Sequence, residues 1–157
     1  MELAISLACV AFPVLASVAV HLEAVFRLRS LAASGRWTRR QKLHMGFWAF
    51  LLAHLVEILL FAAAFLVIDR AGSGGFSGLP DEPALGDYLY FSVISYTTIG
   101  FGDILPLGYA RTLTAICALT GLILIAITAT YIVVHMNRLF AAESAEDDPE
   151  GRPHRTR

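Results

Sequence analysis

Three long apolar runs, residues 3–26, 45–68 and 113–136, constrain this chain more than any other feature. A bilayer core of about 30 Å needs about 20 helical residues, so each run is long enough to cross. In hydrocarbon the backbone must satisfy its own hydrogen bonds, which makes each crossing segment a helix. Composition agrees: 57% of residues are hydrophobic and only 16% are charged, against roughly half and a quarter in soluble domains. The expected fold class is an all-α membrane protein with three transmembrane helices. A fourth apolar stretch, 88–96, is too short to cross and precedes a glycine-bearing loop, so it reads as a re-entrant element. The first run follows Met1-Glu2 with no basic n-region, and it ends at Phe26-Arg27. It reads as a retained helix rather than a cleaved leader. Cys9 and Cys117 sit in separate apolar runs and read as small buried hydrophobes.

Charge gives an orientation. Residues 27–44 hold Arg27, Arg29, Arg36, Arg39, Arg40 and Lys42; residues 69–112 hold only Arg70 and Arg111; the tail holds Arg138, Arg152, Arg155 and Arg157. The positive-inside rule makes the first loop and the tail cytoplasmic. The N-terminus and the segment from Asp69 to Arg111 are then external, as expected of a multi-pass protein of the plasma membrane. Arg36, Arg39 and Lys42 recur every three residues, but they sit among Trp37, Thr38, Arg40 and Gln41. That is a solvated linker, whereas a voltage sensor needs its charges within an apolar span.

The stretch YTTIGFGD, residues 96–103, lies in the external loop between the last two spans. Asp87 is placed to N-cap a short helix beginning at Tyr88. That helix would run inward and aim the negative pole of its dipole at the membrane interior, where a cation is worst solvated. Thr98 to Gly102 must then return in extended form. A dehydrated ion needs substitutes for its water, and backbone carbonyls from several chains facing one axis supply them. Consecutive carbonyls on one side require alternating backbone handedness, which Gly100 and Gly102 permit. Thr98 adds a hydroxyl below the stack, with Ile99 and Phe101 turned away from the axis. One strand cannot surround an ion, so the chain must oligomerise.

TTIGFGD resembles the selectivity-filter signature of the potassium channels, and residues 45–137 resemble their pore domain. The carbonyl-ring arrangement is that family's own. The resemblance implies an outer helix at 45–68, a turret at 69–87, a pore helix at 88–97, a filter at 98–103 and an inner helix at 112–137. It implies a fourfold homotetramer in the lipid bilayer, with K+ as the permeant ion, no cofactor and no nucleic-acid partner. Thr98, Ile99, Gly100 and Phe101 would bind K+ through their carbonyls, and Gly102 would close the outer end. Thr97 would face the cavity below. Asp103 would stand at the outer mouth, tied to an aromatic donor that spacing identifies as Tyr90. Gly121 resembles the inner-helix hinge glycine, and Thr120, Thr128 and Thr130 are candidate cavity lining. Phe101 replaces the commoner tyrosine, which bears on filter stability. Ile94 stands where some members carry a buried acid, so that carboxylate-coupled inactivation is expected to be absent. The helix at 1–26 and the basic linker at 27–44 have no counterpart in the minimal pore.

Other polar features need a reading of their own. His54 and Glu57 are three residues apart on one helical face within a span, a pair read as structural, pH-responsive or metal-binding. His21 and Glu23 read as snorkelling toward the interface. His135, near the end of the inner helix, is a candidate proton sensor at an inner gate. Residues 71–83 read as a flexible turret, and Asp81, Glu82 and nearby Asp87 give it an acidic character that either concentrates cations near the mouth or serves solubility. The tail, 138–157, reads as disordered. The leading function is potassium-selective conduction, and a weakly selective monovalent cation channel is the alternative. A membrane enzyme or metal-binding protein built on His21, Glu23, His54 and Glu57 is the remote reading. It leaves the glycine motif unexplained, and no nucleophile–base set or cofactor fingerprint accompanies it, so no enzymatic activity is expected.

Overall fold

The computed structural model describes residues 2–33 and 37–147. Four helices and one small β-ribbon follow in the order α1 (Glu2–Ala33), α2 (Arg39–Arg70), β1 (Gly74–Ser77), α3 (Leu85–Tyr96), β2 (Leu105–Gly108) and α4 (Tyr109–Asp147). Segments Ala8–Leu31, Arg40–Arg70 and Tyr109–Asn137 are each long and apolar enough to span. Phe12, Leu15, Phe47, Trp48, Leu52 and Leu119 stand exposed on them, the apolar surface expected of helices that face lipid.

The helices outrun their apolar cores. Thr38 caps α2: its hydroxyl accepts from the Gln41 N–H at 3.3 Å, and its own N–H donates to Gln41 Oε1 at 2.9 Å. That capping box starts the helix at Arg39, inside the stretch read as linker. At the other end of the chain, α4 continues through residues 138–147, where a disordered tail was expected. Leucine, arginine, alanine and glutamate, all strong helix formers, make up most of that segment. Residues 148–157 lie outside the described residues. The short helix α3 begins at Leu85 rather than Tyr88, so Asp87 is its third residue and not its cap. From there the Asp87 carboxylate reaches back to the Ala84 N–H at 2.8 Å.

The turret is not a free loop. Its residues β1 pair antiparallel with β2, from Gly74 opposite Gly108 to Ser77 opposite Leu105. A Cβ on Gly74 would lie 2.8 Å from the Ala110 nitrogen, and one on Gly78 would lie 2.1 Å from the Asp103 carbonyl oxygen. Glycine is required at both places for close backbone approach, and the ribbon clamps the segment on either side of residues 97–104.

α1 packs chiefly on α2, and α3 wedges between α2 and α4. Phe61, Phe65 and Ile68 of α2 meet Tyr88, Phe91 and Ile94 of α3 and Leu113 and Cys117 of α4. Phe65, Phe76 and Phe91 contact edge to face, with centroids 4.9–5.7 Å apart, a favoured aromatic geometry. Ser92 donates to the Ile58 carbonyl at 2.8 Å, and the Tyr88 hydroxyl donates to Asp69. In lipid, such contacts and close packing hold helices together, because apolar burial alone gains little there.

Candidate functional site

α3 ends at Tyr96, and the chain then leaves helical geometry at Thr97. The Thr97 N–H still bonds to the Val93 carbonyl at 3.0 Å, and the Gly100 N–H to the Ile94 carbonyl at 3.0 Å. Thr98, Gly100 and Gly102 have φ of 60°, 51° and 79°. Left-handed residues therefore occur at every second position. The glycines were legible in the sequence; the left-handed Thr98 was not. A β-branched residue there is a genuine outlier, costing about 1–3 kcal/mol, and such strain clusters at functional sites.

Tyr96 and Ile104 at the two ends are buried, while Thr98 to Asp103 are all exposed. No backbone N–H among the described residues donates to the carbonyls of residues 98–102. Ile99 and Phe101 are 54% and 69% exposed, so neither joins the core of the single chain. At the outer end, the Tyr90 hydroxyl donates to Asp103 at 2.7 Å. That bond holds the Tyr90 phenol above its ordinary range. Thr97 lies half-buried below the loop, its hydroxyl donating to the Val93 carbonyl at 2.7 Å.

Gly121 lies against the end of α3. A Cβ there would come within 2.1 Å of the Tyr96 carbonyl oxygen. Close packing of α4 on α3 thus requires glycine at this position, independently of any hinge. Thr120 is buried, Thr128 is engaged by histidine and Thr130 donates to the Ala126 carbonyl. Of these three candidate lining residues only Thr130 is exposed. His135 is held on α4 itself, stacked on Tyr131 at 4.0 Å and donating from Nδ1 to the Tyr131 carbonyl.

The His54–Glu57 pair is part of a larger cluster. His54 Nδ1 lies 2.9 Å from Glu57 Oε2, and His21 Nδ1 lies 3.0 Å from Glu57 Oε1. The Tyr96 hydroxyl also donates to Glu57, and His54 Nε2 meets the Thr128 hydroxyl at 3.0 Å. His21 and Glu57 are fully buried, so His21 does not snorkel. Glu23 does face outward, bonded to Arg27. Sequence reading joined His21 to the pair only in its remote metal-binding form, and it missed Tyr96 and Thr128 as members. Depth was the available signal: His21 lies 10 residues before Leu31 and His54 14 after Arg40, about 15 and about 21 Å along their helices. The ligating atoms of His21, His54 and Glu57 lie within 4.8 Å of one another, a donor set that suits zinc by type.

The family model described as "Ion channel" matches residues 53–138, which is 86 of 157 residues. The chain belongs to this ion-channel family. The match is to a channel family and not to an enzyme family. Its relatives include the inward rectifier potassium channel Kirbac3.1 of Paramagnetospirillum magnetotacticum, 34% identical over 110 residues, covering 64% of this chain and 34% of that protein. The human potassium voltage-gated channel subfamily A member 5 is 26% identical over 124 residues, covering 77% and 19%. The Drosophila melanogaster potassium voltage-gated channel protein Shal is 26% identical over 105 residues, covering 66% and 17%. The channel chain therefore spans about a third or less of the length of these relatives. No solved structure matches it. The family match takes in α3, α4 as far as residue 138 and the second half of α2, and it leaves out α1.

Proposed function

We propose that four copies of this chain assemble around one axis and conduct K+ selectively through the carbonyls of Thr98, Ile99, Gly100 and Phe101, with Gly102 closing the outer end. One observation carries the reading. Left-handed residues alternate along a loop whose carbonyls have no backbone donor, while both flanks are anchored. Alternating handedness is the condition for turning successive carbonyls to one side, and oxygen ligands suit a hard cation. The family and the potassium channels among its relatives support the same ion. Fourfold closure supplies the remaining ligands and gives exposed Ile99 and Phe101 neighbours to pack against. The Tyr90–Asp103 bond braces the outer mouth. Charge asymmetry supports an external N-terminus, a cytoplasmic C-terminus and insertion in the plasma membrane. Gly121 serves α3 packing and remains the candidate hinge; four His135 side chains near the far end of α4 form a candidate inner gate. His54 and Glu57 are a structural or pH-responsive pair.

The test is flux. Purified protein in liposomes should take up rubidium in a barium-sensitive way, and bi-ionic reversal potentials should favour K+ over Na+. Reversal near zero would establish the weakly selective alternative, for which the missing hydroxyl at Phe101 is the motive. Absence of any barium-sensitive uptake would overturn conduction altogether.

A further inference from the structure

Tyr96 is the last residue of α3 and stands two positions before Thr98. It is held from two sides. Its carbonyl oxygen presses on Gly121 of α4, and its hydroxyl donates to Glu57 of α2. Its ring lies 5.9 Å from that of His54 and 6.4 Å from that of Phe61. Glu57 has a second oxygen, and α1 takes it: His21 Nδ1 sits 3.0 Å from Oε1, with both side chains wholly buried. The far sides of the two imidazoles share Thr128 of α4, at 3.0 Å from His54 Nε2 and 3.4 Å from His21 Nε2. The hydroxyl has one proton and donates to one of these nitrogens at a time. Side chains of α1, α2, α3 and α4 thus meet in one hydrogen-bonded cluster behind the end of α3.

We propose that α1 is a brace for the filter, and that His21 is a positioning residue for ion selection, acting through Glu57 on Tyr96. The proposal rests on the conduction reading above. A carboxylate turns easily about its last torsion, so its plane is fixed only when both oxygens are held. Without His21, Oε1 is a buried, unpaired acceptor. The carboxylate then rotates toward its remaining donors, and the Tyr96 hydroxyl follows. Thr98 is held two residues away in a conformation it disfavours, so slack at Tyr96 lets the strain relax and moves the first carbonyl. The same donor set could hold a divalent metal. Its nitrogens and oxygens are instead engaged with one another and with Tyr96 and Thr128, which favours the hydrogen-bonded brace.

The experiment compares the full-length wild type with His21→Ala, His21→Asn and Tyr96→Phe in liposomes and planar bilayers. The K+/Na+ permeability ratio is measured together with the stabilisation of the assembled protein by K+ over Na+ in thermal melts. His21→Ala and Tyr96→Phe should each lower the permeability ratio roughly 3- to 10-fold, the equivalent of one hydrogen bond, and shrink the K+-dependent melting shift. The double variant should be no worse than the poorer single one. His21→Asn keeps a donor where Nδ1 stood and should restore most of the ratio, a rescue that mere loss of packing does not allow. The brace is overturned if a selective wild type keeps its ratio in Tyr96→Phe, which deletes one oxygen, or if His21→Asn fails to rescue. It is also overturned if EDTA reproduces the His21→Ala effect on the wild type, the signature of a metal site. A wild type with neither selective current nor a K+-dependent melting shift removes the conduction reading and the brace with it. Selective wild-type current with unchanged variants removes the brace alone.

Discussion

The two sides of the α3 terminus handle polar groups in opposite ways. Beyond Tyr96, residues 98–102 leave their carbonyls without backbone donors, in an exposed loop with left-handed residues at alternate positions. Behind Tyr96, the carboxylate of Glu57 is wholly buried, and three side chains, His21, His54 and Tyr96, contact it. On the proposed reading, the first region is completed by other copies of the chain. The second is complete within it. An ion site needs oxygens that are positioned but unspent. Positioning them requires a neighbouring region whose polar groups are all engaged, because a half-satisfied network has no single geometry.

Breaking the satisfied side has the largest expected effect on stability. Glu57→Ala leaves a buried imidazole, a half-buried imidazole and a buried phenol without their common acceptor, and each group so unsatisfied costs about 1–3 kcal/mol. Thermal melts in detergent should show it, and an unchanged melting temperature would mean that the cluster is not formed. Next comes the contact that both regions share. Gly121→Ala pushes a methyl into the Tyr96 carbonyl, and overpacking of this kind costs about 1–3 kcal/mol. Both stability and K+ selectivity should fall together, whereas a pure hinge role would alter gating kinetics and leave the melt alone.

The exposed side should respond differently. A Cβ at Gly100 meets nothing within 4 Å, so Gly100→Ala acts only through its φ of 51°, at about 1–2 kcal/mol for a left-handed L-residue. The chain should still fold and insert, while K+-selective current is lost. Normal selectivity in that variant would break the comparison. The smallest effect belongs to Tyr90→Phe at the rim. Asp103 raises the Tyr90 phenol above its ordinary value. The contribution of that bond is fully present below the ordinary phenol value near 10, and it is lost as pH rises through the raised one. Wild type should therefore show an alkaline loss of stability that Tyr90→Phe lacks, with both proteins alike at neutral pH apart from the missing bond.

Much of the proposed conducting side could be read from residues alone. Spans follow from the length of apolar runs, because bilayer thickness sets helix length. Gly100 and Gly102 announce backbone that other residues disfavour, and thirteen residues separate Tyr90 from Asp103 across one local turn. Local geometry and short separations carry these features. The capping box of Thr38 and Gln41 was equally local, and it shows that helix ends obey capping chemistry more closely than hydropathy.

What only the tertiary structure decided is which distant groups meet. His21 and Glu57 are 36 residues apart, and His54 and Thr128 are 74 apart. The rotation of each helix about its own axis sets those meetings. Helices that are apolar on every side carry no pattern from which that rotation can be read. The β1–β2 ribbon was hidden for a related reason, since four-residue strands rich in glycine and proline have little pairing signal of their own. Thr98 took its left-handed backbone because anchored flanks imposed it, against its own steric preference. Sequence dictates where this chain crosses the membrane and where its backbone must bend; helix-on-helix packing determines which buried polar side chains hold that bend in place.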